Sequence, residues 1–170
     1  RMARETFGRP IDAWSAVKYG IIGGIIAAIL FAVAEMVMAM ILGMSAFVPL
    51  QMIGAILLGP AVLPPAAATA TTVIAALVVH FILSAIYGVV LALIALYVSA
   101  LRSSVWALTG VGAVYGLLLW LGNFYVVAPV AFPWFGMADP VVQFIAHVFF
   151  FGVPLGYYLG TQMSRRRATT

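Results

Sequence analysis

Four stretches of the chain stay apolar over about twenty residues or more, each interrupted by a few polar side chains at helical spacing. A helix of roughly 20 apolar residues crosses a hydrocarbon core about 30 Å thick. The pattern therefore predicts spans near 17–42, 73–100, 105–127 and 139–162, with loops over 43–72 and 128–138. In the first span Gly20, Gly24, Ala28, Phe31 and Glu35 fall on one stripe. In the second, His80, Ser84, Tyr87, Gly88, Leu91 and Ala95 share a face; in the third, Gly112, Gly116, Trp120 and Asn123; in the fourth, Gln143, His147, Phe151, Pro154 and Tyr158. Small residues let helix backbones approach, so these faces are expected to meet protein rather than lipid.

The long first loop is apolar but broken. Pro49 to Leu58 suits a short helix ended by Gly59-Pro60, too short to cross and so interfacial or re-entrant. Asp139 and Pro140 are placed to cap and open the fourth span, and Pro154 to kink it. Trp14 and Tyr19 suit the headgroup level beside a polar arm holding Arg1, Arg4, Glu5, Arg9, Pro10 and Asp12. The fold class is all-α: an integral-membrane bundle of four transmembrane helices, one domain over 1–170.

Composition agrees, at 66% hydrophobic and 7% charged over 170 residues. The net charge of +4 lies at the ends of apolar runs, which is no nucleic-acid footprint. Arg1, Arg4, Arg9, Lys18, Arg102 and Arg165 to Arg167 all map to one side of a four-span chain, so the positive-inside rule puts both termini in the cytoplasm. The absence of cysteine excludes disulfides, thiolate metal sites and cysteine catalysis. The first apolar run is too long for a signal-peptide core and carries Glu35, so no cleavable signal is expected.

Spans one and two resemble spans three and four. Gly24 to Glu35 and Gly112 to Asn123 are both eleven positions, and each half continues through a Pro-containing loop to a span with an early histidine. This predicts a 2+2 repeat about an axis along the membrane normal. Counting from the cytoplasmic charges at 1.5 Å per residue puts Glu35, His80, Asn123 and His147 about 25–33 Å away, in one layer towards the outer surface. Ionisable groups at membrane depth point to function, although groups so near the boundary also suit contact with water or hydrogen bonds between helices.

Three chemistries are open. His80 and His147, on diagonal spans, suit two axial ligands of a haem b, with Gln51, Asn123 and Gln143 in place of cations for the propionates. If the helices pack closer, His80, His147, Glu35 and Asn123 make a divalent-metal site. Without a cofactor, Glu35, His80 and Tyr87, with Ser84 below His80, suit a proton or small-solute pathway. Met36, Met40 and Met44, with Met38 and Met52 nearby, suit either Cu(I) or packing. Gly152, Gly156 and Gly160 form a ridge for a second subunit, a larger complex or a helix of the same chain. No catalytic residue is assigned, since Glu35 is the only acid inside a span. The best reading is a haem- or metal-binding redox or accessory subunit; the alternatives are a transporter or a purely structural subunit.

The stretches His80-Phe81-Ile82-Leu83-Ser84, Gly112/Gly116 leading to Phe132-Pro133, and Ile145-Ala146-His147-Val148-Phe149 resemble the YagU-like inner-membrane proteins over about 79–156. Asn123 stands where that family suggests a further histidine. The resemblance implies four spans and a bacterial inner (plasma) membrane, and little about chemistry.

Overall fold

A computed structural model describes residues 11–164. Arg1, Arg4, Glu5, Arg9, Pro10 and Arg165 to Arg167 lie outside these, so their part in the charge pattern stays a matter of sequence. The fold is all-α, with no strand among the described residues. The helices are α1 (Ala13–Ile41), α2 (Val48–Leu58), α3 (Ala70–Tyr97), α4 (Val105–Ala131) and α5 (Pro140–Met163). All but α2 are long and apolar enough to cross a membrane. Each long helix opens on a side-chain cap: Asp12, Thr69, Ser104 and Asp139 accept N–H groups of the first turn, which would otherwise lack partners. Lys18 lies 5.0 Å from the Trp14 ring at the start of α1.

Two helix pairs make the bundle. α1 packs along α3, α4 along α5, and α1 also touches α5, while α3 and α4 scarcely meet. Glycines set both close pairings. A Cβ at Gly88 would stand 2.9 Å from Gly24 Cα, and one at Gly112 would stand 2.7 Å from Gly156 Cα. Gly152, Gly156 and Gly160 all press against α4, at Gly112, Leu108 and Val105. The ridge expected to hold a second subunit is therefore occupied within the chain, because α4 offers glycines of its own to receive it.

The close contacts are alike in the two halves. Gly24 meets the Ser84 carbonyl and Gly88 meets Gly24 Cα in one, and Gly112 meets the Gly152 carbonyl and Gly156 meets Gly112 Cα in the other. His80 lies against Ala28, four residues after Gly24, and His147 against Gly116, four residues after Gly112.

Pro129 and Pro154 each follow a π turn by two residues: Asn123–Val127 in α4 and Ala146–Gly152 in α5. Proline lacks an N–H and crowds the carbonyl four residues back, and a widened turn relieves both. The kink expected at Pro154 takes this form. The π turns also set the directions of Asn123 and His147.

Packing differs at the two ends. Leu91, Leu108, Leu155, Leu159 and Met163 are fully buried at the end that carries Arg102. The other end is hollow and is roofed by α2 and the 133–137 turn. Gln51 pins the first loop by donating to the carbonyls of Val62 and Ala66, at 2.9 and 2.8 Å. Trp134 ties the second loop to α2 through Met52 O at 2.9 Å.

Candidate functional site

Glu35, His80, Asn123 and His147 come from four different spans and line one cavity of about 280 Å³. The polar layer of the sequence is thus a shared wall. Phe31, Tyr87, Phe124 and Phe151 line it from the spans, and Phe132 and Phe135 close it from the stretch expected as the 128–138 loop. That region folds inward because α4 runs on to Ala131 and a 3-10 turn follows over Pro133–Met137. A larger outer chamber of about 700 Å³ adjoins it, lined among others by Ser45, Gln51, Ala67 and Asp139. Glu35, Gln143, Pro49, Met52 and Ala138 line both chambers.

The hydrogen bonds fix what each group offers a ligand. His80 donates its Nε2–H to the Ala28 carbonyl at 2.9 Å, because a carbonyl only accepts. Its Nδ1 lone pair is left. His147 donates Nδ1–H to the Gln143 carbonyl at 2.8 Å and keeps the lone pair on Nε2. Each imidazole has its tautomer set by a backbone partner, as histidine ligands usually do. Glu35 Oε2 accepts from Gln143 Nε2 at 2.8 Å, while Glu35 Oε1 is buried without a partner. Tyr87 turns its hydroxyl to Asn123 Oδ1 at 3.1 Å and accepts on its carbonyl from Tyr115 at 3.0 Å, bridging the sparse α3–α4 seam. Glu35, His80 and Tyr87 are therefore not linked to one another by direct hydrogen bonds.

Phe31 packs against both imidazoles, with ring centroids 5.5 Å from His80 and 4.9 Å from His147. No group of three His, Cys, Asp or Glu side chains among the described residues is close enough to hold a metal ion. Gln51 and Gln143, suggested for haem propionates, already bond within the protein. Phe81 touches His80, whereas Trp120 and Phe144 pack on each other. Met40 and Met44 are exposed and Met52 is on the buried face of α2, so the methionines do not converge.

Gln143, which the sequence reading named as a face neighbour of His147 and as a partner for haem propionates, bonds both Glu35 and His147. Its spacing of four from His147 was the available signal. No protein-family model, curated protein or solved structure matches the chain.

Proposed function

We propose that the protein binds, and passes on or transports, a small solute taken from the side of the membrane that carries α2. The observation supporting this is the pair of adjoining chambers that reach from the loops to His80, His147 and Asn123. The dense core at the opposite end closes the site on that side. At about 280 Å³ the inner chamber lies near the lower limit of the roughly 300–1,000 Å³ usual for ligand pockets. By the positive-inside rule the α2 side is the outer face of a bacterial-type inner membrane, with both termini cytoplasmic. Common architecture with the YagU-like proteins belongs to the same proposal.

The naturally cysteine-free chain makes the test direct. Ser84 lines the inner chamber, so Ser84→Cys is expected to react with a small water-soluble thiol reagent added outside intact cells. Ala92→Cys, in the dense core, is expected to stay unlabelled. A folded Ser84→Cys protein that resists the reagent sinks the proposal.

A haem- or metal-binding redox subunit is the second reading, favoured by the tautomers that leave one free lone pair on each histidine. Against it, Phe31 packs against both rings and no third ligand joins them. The visible spectrum and metal content of the purified protein decide between the two. Stable co-purification with partners, without either activity, would mark a structural subunit.

A further inference from the structure

The polar atoms left over in the inner chamber are unbalanced. Glu35 Oε1, His80 Nδ1 and His147 Nε2 all lack a partner among the described residues; the two ring nitrogens accept, and so does Glu35 Oε1 when the carboxyl is ionised. Each side chain is more than nine-tenths buried, with 6% of Glu35 and 8% of each histidine exposed. The free donors are fewer: the Asn123 amide and the Ser84 hydroxyl. A ligand that satisfies the wall must mainly donate.

Charge points the same way. Glu35 and Asp139 line the outer chamber, and Glu35 stands at its boundary with the inner one. The cations of the described chain, Lys18 and Arg102, line neither chamber. An anion would find no counter-charge. A carboxylate oxygen buried without a partner is costly, and a bound cation removes that cost. Phe31, Phe124, Phe135 and Phe151 surround the same space, and the negative faces of such rings attract cations. A metal ion lacks its three-ligand cluster here, whereas an ammonium reaches acceptors about 2.9 Å away, wider than the ~2.1 Å of a metal bond.

We propose that the ligand is a small organic cation carrying N–H donors, a primary or secondary alkylammonium, with Glu35 as its counter-ion and the two imidazole lone pairs as its hydrogen-bond acceptors. This rests on the reading of the chambers as a solute site. The apolar rings then hold the alkyl part, and Gln143 holds the carboxylate in place through the oxygen that faces away from the ligand.

The experiment uses the purified full chain carrying Ser84→Cys, in lipid nanodiscs. Three methanethiosulfonates of similar size are compared: ethylammonium, ethylsulfonate and the neutral methyl reagent, each rate divided by that for a free thiol in solution. The cationic reagent is expected to outpace the anionic one by about tenfold or more, as a nearby buried carboxylate implies. Propylammonium should slow labelling by the neutral reagent, tetramethylammonium less so because it has no N–H, and propionate not at all. Adding Glu35→Gln should bring the cationic and anionic rates together and abolish protection. Equal rates for the two charged reagents, with brisk neutral labelling, would leave the solute site standing and overturn the cation. Protection by Zn²⁺ but not by propylammonium would overturn it in favour of a metal. Failure of all three reagents would overturn both the site and its ligand. The comparison at native Glu35 stands even if Glu35→Gln does not fold.

Discussion

Gln143 gives its backbone carbonyl to the His147 ring and its side-chain amide to Glu35, at 2.8 Å in each case. One residue of α5 thus sets the tautomer of a histidine on its own helix and holds the buried carboxylate of α1. Replacing it by leucine keeps the carbonyl and deletes the amide, which leaves Glu35 with no partner on either oxygen. Gln143→Leu is expected to lower stability in detergent by about 1–3 kcal/mol, the usual cost of orphaning a buried polar group. Glu35→Leu added to it should restore part of the loss, since removing both partners is cheaper than removing one. Denaturant unfolding of the two single variants and the double variant measures the coupling, and strict additivity would remove the bond from the account.

The glycine contacts predict a different failure from subunit dissociation. A side chain at Gly112 meets the Gly156 backbone, which cannot swing aside. Gly112→Val and Gly156→Leu are expected to cost about 3 kcal/mol or more through overpacking, and to unfold or splay the α4–α5 pair. Gly110 faces open space, so Gly110→Ala should be neutral or stabilising by about 0.5 kcal/mol. Thermal unfolding and oligomeric state, read together, check this. A folded Gly156→Leu protein with altered oligomeric state would return the ridge to a subunit interface.

The spans were legible because length and apolar content alone determine them, and each observed helix starts and ends within a few residues of its expected place. Glu35, His80, Asn123 and His147 were legible as one layer because counting from the expected cytoplasmic charges gave all four a similar depth. The π turns at Asn123–Val127 and Ala146–Gly152 were not, because counting along the chain assumes 1.5 Å per residue throughout. The loop part of the aromatic wall was missed for another reason. Phe132 and Phe135 lie in a stretch with no helical period, and their inward turn depends on α2 and Trp134 above them.

Asp12 caps α1 from outside the span. Hydrogen bonds from Ser15, the hydroxyl first and the backbone N–H second, hold its carboxyl below the usual range. A carboxylate with a depressed folded value supports the fold above its unfolded value, about 3.9, and that support is lost as pH falls through the folded one. The first turn of α1 is therefore expected to stay protected from hydrogen exchange down to about pH 4 and to fray below it. The side chain is fully exposed, so the effect is local. Asp12→Ala should fray the same turn at neutral pH, and protection there that ignores both pH and the substitution would remove Asp12 as a cap.

Topology ties the site to a side of the membrane. Lys18 and Arg102 mark one end of the described bundle, and Ala67 in the outer chamber marks the other. Cations are retained on the cytoplasmic side of short loops. Single cysteines at Ala67 and Ser103 suit the test because both positions are exposed and the chain has no other thiol. In intact cells a membrane-impermeant maleimide should label Ala67→Cys and leave Ser103→Cys unlabelled until the cells are opened. The reverse pattern would turn the chambers towards the cytoplasm, and the solute would then be one the cell holds rather than one it meets outside. Labelling of both from outside would break the four-span topology itself, since the α3–α4 turn and the α2 loop would then share a side.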